Sequence, residues 1–435
     1  MQSKTSLLRD LHITGTQQSP YTVNLTCLDM VFPSNGLATG LAIYREIPDI
    51  ERLEAAIAGA VDLFPTFAGR VGEQEPPAIA VGKSGLKLEL YETSESLLQD
   101  IPPSHDRLLN LLGFMARDSS LMRERVTFAM MLLINRAENS AALTWKSAHC
   151  HTDGATINKF LRTVADLYND RPPTEKEELD RNSELAKVTR GVEARFNNYL
   201  FSREKDVPTE RPFEQTRPEK FSSTLCINEG MLDAIKEGNL SERRLIYAVA
   251  LKTHALCFEH ENFSLETIID IRNKKIVSDR FSGNALLSER CELNSQFLRV
   301  APFSSIYENV KKNTVWNAQH AGEAIAYLEQ TKAQKKLFLL DERSELIPNT
   351  AAGRTLNIND LTFYRFDAVD LAGKPIWYDT AVSPANCMII FQPQCLDENN
   401  RYIRIFGPKS YVNHFISIFP ATLTQELRAQ QAAQR

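Results

Sequence analysis

The sequence predicts an α/β protein of two similar domains with mixed sheets and helices, and three observations predict it. At 435 residues and 49.2 kDa the chain is too long for one ordinary core and suits two domains of about 200 residues each. Strand-like and helix-like periods alternate in irregular order in both halves, unlike the regular repeat of a doubly wound dinucleotide fold. Between the halves runs a polar stretch from about 169 to 223, with Arg171-Pro172-Pro173, Glu175-Lys176-Glu177-Glu178, Pro208, Pro212 and Pro218. These divide the chain into an N-terminal domain (1–170), a crossover (171–222) and a C-terminal domain (223–435).

The elements follow in order. From Ile50 to Phe64 the apolar residues Leu53, Ile57, Ala60, Val61 and Phe64 recur at helical spacing. Lys87–Tyr91 alternates like a strand. Arg125–Asn135 and Ala141–His149 flank Ala137-Glu138-Asn139-Ser140, which reads as a hairpin. From Ala155 the period turns helical, with Ile157, Phe160, Leu161, Val164 and Tyr168 on one face. The crossover holds one predicted helix, Glu184–Leu200. The second half opens with helices over Gly230–Glu237 and Glu242–Glu259, then a strand at Thr267–Ile271. A helix-rich middle leads to strands at Asn386–Pro393 and Tyr402–Phe406, and a last amphipathic helix begins near Tyr411.

Composition excludes several classes. With 43% apolar and 24% charged residues the chain is that of a soluble globular protein. Its net charge of -5 offers no basic excess, so neither nucleic acid nor an anionic membrane is the expected partner. Met1–Pro20 lacks a hydrophobic signal core, and the longest strongly apolar run, Phe128–Ile134, has a strand's length. The 7 cysteines form no CxxC pair and read as reduced, buried thiols in a cytoplasmic setting. Gly82-Lys83-Ser84 mimics the end of a phosphate-binding loop, but Pro77 stands where its first glycine belongs, so it is a turn. Neither GxGxxG nor GxSxG occurs, which counts against a nicotinamide enzyme and an α/β-hydrolase.

The chemistry concentrates where a strand ends and a helix begins, at His149-Cys150-His151-Thr152-Asp153-Gly154. Attack by an alcohol or amine needs a proton removed, and a histidine titrating near neutrality suits that task. Asp153 can anchor the turn by an ion pair or cap the helix, and Gly154 removes bulk where backbone passes closely. HxxxD alone is weak, and a buried structural histidine beside a plain N-cap competes with it evenly. Cys150 beside a histidine invites a Cys–His pair, but sequence neighbours usually point apart. His151 would share the face of His149 on an extended segment but not on a tight turn, so its role stays open between a direct one and the favoured accessory contact. No further ligand cluster supports a metal at His149, His151 and Asp153. Trp145 and Trp377 read as core, with an acceptor-lining role as the alternative.

Further motifs fall in order around this one. Leu28-Asp29 and Leu63-Phe64-Pro65-Thr66-Phe67-Ala68-Gly69-Arg70 come before it. Asp270-Ile271-Arg272, Phe281-Ser282-Gly283-Asn284-Ala285 and Asp370-Leu371-Ala372-Gly373-Lys374-Pro375 come after. In these the chain resembles the BAHD acyltransferases, within the superfamily of chloramphenicol acetyltransferase and peptide-synthetase condensation domains. The last block is one residue short and lacks the family's Phe and Trp, so the resemblance is to a divergent member. Ala148 before His149 differs from the paired histidines of condensation domains.

The resemblance implies two chloramphenicol-acetyltransferase-like domains with the active-site channel at their interface. It implies His149 as general base, with Asp153 turned away to pair with Arg272. Asp153, Gly154, Arg272, Asp370 and Gly373 would be structural support, and Gly283 and Asn284 would lie near coenzyme A. The implied reaction moves an acyl group from acyl-CoA directly to a hydroxyl or amine of a small-molecule, secondary-metabolite acceptor. Acyl-CoA is then a co-substrate, with no permanently bound cofactor and no metal, and a monomer is expected. The alternatives are a carrier-protein-dependent acyltransferase or condensation enzyme, with an acyl carrier protein as partner, and a non-catalytic binding module of the same fold.

Overall fold

The computed structural model describes residues 5–16, 20–32, 37–72, 77–82, 85–117, 125–200, 220–237, 242–333, 354–381, 387–392 and 400–434. Lys83, Ser84, Asn386, Pro393 and the crossover prolines Pro208, Pro212 and Pro218 lie outside these. The first half runs β1 (Thr5–Ile13), β2 (Tyr21–Asn24), β3 (Leu37–Tyr44), α1 (Ile50–Leu63), β4 (Arg70–Val71), β5 (Ala78–Val81), β6 (Leu86–Thr93), α2 (His105–Arg117), β7 (Phe128–Asn135), β8 (Ser140–Ala148) and α3 (Gly154–Tyr168). The crossover carries α4 (Arg181–Thr189). Then come β9 (Lys220–Ile227), α5 (Glu229–Glu237), α6 (Glu242–Cys257), β10 (Asn262–Asp270), β11 (Leu286–Asn294), α7 (Ser295–Val300), α8 (Phe303–Asn313) and α9 (Ala318–Ala333). The chain closes with β12 (Thr355–Asp360), β13 (Trp377–Ala381), β14 (Met388–Phe391), β15 (Arg401–Pro408) and α10 (Lys409–Gln434).

Among the described residues the strands form two six-stranded mixed sheets, ordered β1-β6-β7-β8-β3-β13 and β11-β10-β12-β14-β15-β9, and a small sheet β2-β5-β4. The predicted hairpin is present: β7 and β8 pair antiparallel from Phe128↔Ser147 to Asn135↔Ser140. Both strands are buried at every position, as their near-continuous apolar runs require. Helix α1 buries Leu53, Ala56, Ile57, Ala60 and Val61, and shares one core with Phe160, Leu161 and Val164 of α3. Phe67 and Phe160 stack there at 4.2 Å, with Phe128 edge-on to both.

Strand β13 comes from the second half yet completes the first sheet, pairing antiparallel with β3 from Trp377↔Ile43 to Ala381↔Thr39. A fully buried ion pair, Asp379 on β13 with Arg404 on β15, joins the two large sheets. Trp377 Nε1 and Gln392 Nε2 each donate to that carboxylate at 3.0 Å. Trp377 packs with Leu41 and Ile43, while Trp145 lies against Phe366 and Tyr378. A Cβ on Gly40 would fall 2.3 Å from the Trp145 ring, so Gly40 gives the indole its room.

Three expectations need correction. The crossover helix spans Arg181–Thr189, not Glu184–Leu200, because Gly191 follows it in the left-handed region at φ +72° and ends it. The helix-rich middle also holds β11, which folds back on β10, and β12, which pairs parallel with β10 across the intervening helices. The cysteines are not all buried: Cys27, Cys150, Cys291 and Cys387 are, but Cys257 is half-buried and Cys226 exposed. No described helix is long and apolar enough to cross a membrane.

Candidate active site

Strand β8 ends at Ala148, and a turn over 149–151 delivers the chain to Asp153, the N-cap of α3. Asp153 Oδ1 accepts from the Thr156 backbone N–H at 3.0 Å, satisfying one of the orphan donors of the helix start. The same carboxylate pairs with Arg272 through Oδ2 at 2.9 Å and Oδ1 at 3.2 Å, and Oδ2 accepts from the Ala285 N–H at 2.9 Å. Ion pair and cap, read from sequence as alternatives, coexist on one side chain. Burial opposes ionisation of Asp153. The charge of Arg272 and the hydrogen bonds from Arg272, Ala285 and Thr156 outweigh it and hold the carboxyl below the usual carboxylate range.

Arg272 is saturated. Its Nε donates to the Phe281 carbonyl at 2.8 Å. Nη1 also reaches Asp270 Oδ1 at 3.1 Å, and Nη2 reaches Thr156 Oγ1 at 3.0 Å and the Gly283 carbonyl at 2.8 Å. One guanidinium thus ties the start of α3 to the segment that follows β10.

His149 keeps some surface exposed. Its ring stacks on Phe32, with centroids 3.9 Å apart and planes 5° apart. Its carbonyl accepts from Asn284 Nδ2 at 2.7 Å. Ring Nδ1 is buried and has no hydrogen-bond partner among the described residues. Burial lowers the imidazole pKa below its ordinary 6.5, against smaller opposing effects of its own carbonyl, Asp153 and Asn284. The ring is therefore neutral, and able to accept a proton, at pH 7.

The neighbours of His149 face elsewhere. His151 is buried, its Nε2 2.7 Å from Thr66 Oγ1, its Nδ1 3.5 Å from Ser147 Oγ and its ring edge-on to Phe67. Burial, and then the charge of Arg181, push its pKa down to about 3. The Cys150 thiol is buried and pushed up to about 12, so it stays a neutral thiol. His149, His151 and Asp153 engage different partners and do not converge on a metal position.

The His151 environment has a pH consequence. In the unfolded chain this histidine binds a proton below its ordinary 6.5, whereas in the fold it resists until about pH 3. Stability is therefore lost progressively as pH falls from 6.5 towards 3, because unfolding takes up the proton. Chemical denaturation across that range is expected to show a shallower pH slope in His151→Gln; an unchanged slope would contradict the assignment.

The remaining site residues sort by place. Gly154 opens α3 where a Cβ would sit 3.3 Å from the Tyr364 ring. Gly283 lies at φ +88°, its would-be Cβ 1.9 Å from Arg181 Nη1, so neither the backbone nor the space admits a side chain. Asn284 is fully buried; its N–H donates to Asp29 Oδ1 at 2.9 Å. Asn284 touches the His149 turn through that residue's carbonyl, and the Gly283 carbonyl meets Thr156 at the start of α3. Asp370 lies at the other end of α3, where its carbonyl accepts from Asn169 Nδ2 at 2.6 Å, and Gly373 follows it in the chain at φ +87°. That end is about 20 Å from Gly154 at ~1.5 Å per residue.

Sequence reasoning gave no role to Phe32, Thr66, Glu177 or Arg181, nor one to Asp29 beyond its motif. Asp29 carried a signal, an acid within the apolar run Leu25–Phe32. Glu177 carried none: it stands in a charged tetrad that reads as solvated, yet it is buried and accepts from the Thr66 N–H at 3.0 Å.

No family model matches the chain, and no curated protein matches it in sequence. Solved structures do match in shape. Vinorine synthase superposes with a TM-score of 0.67 at 12% identity, over 94% of this chain and 96% of that one. F. graminearum TRI101, in complex with coenzyme A and T-2 mycotoxin, gives 0.65 at 12% identity, over 90% and 96%. The condensation domain of the monacolin K polyketide synthase MokA gives 0.64 at 10% identity, over 94% and 98%. Across nearly its whole length the chain thus has the two-part chloramphenicol-acetyltransferase-like fold that its resemblance to BAHD acyltransferases implies.

Proposed function

We propose that this protein is an acyltransferase that moves an acyl group from acyl-CoA to a hydroxyl or amine of a small-molecule acceptor, with His149 as general base. The observation that carries the reading is a neutral His149 held by its backbone on a fixed turn, beside an Asp153 whose oxygens are engaged by Arg272, Thr156 and Ala285. With Nδ1 buried, Nε2 is the ring nitrogen left to meet an acceptor. It takes the acceptor's proton as the oxygen or nitrogen attacks the thioester carbonyl. The tetrahedral intermediate then expels the thiolate by breaking the C–S bond, and His149 returns the proton to sulfur. Transfer is direct: the adjacent Cys150 is a neutral buried thiol and offers no acyl-enzyme. Asp153 and Arg272 hold architecture, as do Gly154, Asp370 and Gly373.

Coenzyme A as donor is supported by the fold shared with TRI101, whose structure holds coenzyme A and T-2 mycotoxin. The equally similar condensation domain keeps a second reading open, a phosphopantetheine carrier protein as donor. A panel of acyl-CoAs with pooled alcohols and amines, read by free-thiol release, tests the first. Acceptor-dependent release is expected. Release only from an acyl-loaded carrier protein selects the second, and binding of acyl-CoA without release points to a non-catalytic module.

A further inference from the structure

The turn that carries His149 is braced from the crossover. Arg181, on α4, is fully buried although it lies in the most polar stretch of the sequence. Its Nη1 is 3.2 Å from Asp29 Oδ2 and 3.4 Å from the Ser282 carbonyl. Asp29 is fully buried as well. It accepts from the Thr26 N–H at 2.8 Å and hydroxyl at 2.9 Å through Oδ2, and from the Asn284 N–H at 2.9 Å through Oδ1. Asn284 Nδ2 then donates to the His149 carbonyl at 2.7 Å. The contacts therefore run from the crossover to the first half, then to the second half, and end on the backbone of His149.

The crossover reaches the other side of the turn too. Glu177 binds the Thr66 N–H and hydroxyl, and Thr66 Oγ1 meets His151 Nε2 at 2.7 Å. Residues 149 and 151 are thus held from two directions by side chains four positions apart in the crossover. The hydrogen bonds of Arg181 itself do not account for so costly a burial. Its Nε and Nη2 are buried with no partner among the described residues, and a buried ion pair by itself seldom adds stability. What the guanidinium does fix is the orientation of Asp29, and the bare Gly283 gives it the room to do so.

We infer that Arg181 is a positioning residue for His149, acting through Asp29 and Asn284; the inference rests on His149 being the base. Arg181→Ala leaves a hole that free guanidinium can enter. Two quantities are read: the NMR titration of the His149 ring in protein without substrate, and acyl-CoA-dependent thiol release. The His149 resonances and titration are expected to shift, and kcat to fall by about 10- to 100-fold with KM for acyl-CoA little changed. Added guanidinium should restore part of both, while ammonium at equal ionic strength restores neither. A folded Arg181→Ala protein with wild-type His149 titration and kcat overturns the inference. If that variant does not fold, Arg181→Lys takes its place: the same shifts are expected, and wild-type values overturn the inference. If the wild-type protein transfers no acyl group, the proposed reaction fails, and the His149 titration alone decides the positioning.

Discussion

Replacing His149 with alanine is expected to lower kcat/KM for acyl transfer by about 10²- to 10⁴-fold while the protein stays folded. The fold should persist because little of it hangs on the ring. The ring contributes a stack on Phe32, but Nδ1 makes no hydrogen bond among the described residues. The contact that holds the turn, Asn284 to the His149 carbonyl, is with the backbone and survives the change. Thiol-release kinetics beside a thermal melt separate the two effects, and near-native turnover would remove His149 from the chemistry. A pH profile adds a sign. The base works when neutral, and its pKa is lowered from 6.5. Wild-type kcat/KM is therefore level through neutrality and falls only at pH below 6.5, whereas His149→Ala lacks that limb.

Arg272→Ala is expected to cost about 3–5 kcal/mol of stability and to abolish activity, since it strips the partner from a buried carboxylate. The loss should exceed that of Asp153→Asn. Removing the guanidinium leaves two carboxylates, the fully buried Asp153 and the half-buried Asp270, without the ion-pair partner they share. Burial already pushes the Asp270 pKa up against the pull of Arg272, so the site has little tolerance for losing that charge. Asp153→Asn leaves Asp270 to face Arg272, and an asparagine oxygen can still cap α3. Urea denaturation gives the ranking directly. Equal losses would mean that Asp270 contributes nothing to holding Arg272.

How much of this was legible in the sequence depends on where each residue finds its partner. Helices α1 and α3 and the β7–β8 hairpin were readable because their apolar period and their partners are local. Strand β13 was not, because its partner β3 lies more than 330 residues back and only that pairing makes Trp377–Ala381 a strand. At the site, the His149–Gly154 segment and Arg272 could be named from motifs in order. The bracing behind them could not: Glu177 and Arg181 look like members of a solvated, charge-rich stretch, and burial of a lone charge leaves no periodic trace. His151 was undecided for a related reason. Two residues from His149, its side chain could have shared the site or the core, and the bend after Ala148 sends it to the core.

Strand β13 has one more consequence. The first sheet is woven from strands of both halves of the chain, so neither half is a self-sufficient piece. A fragment that stops in the crossover would leave β3 as a bare edge, its backbone donors and acceptors open to any strand that came by. The complementary fragment would carry Trp377 stripped of Leu41 and Ile43, with Tyr402 left against its ring, and Asp379 on a strand with no neighbour to pair with. Pulling the halves apart in the intact protein must either unzip the β3–β13 ladder or, if β13 stays behind in the first sheet, part the buried Asp379–Arg404 ion pair. Melting and proteolysis should therefore see one unit, and whatever reaches His149 must do so while the seam between the halves stays stitched.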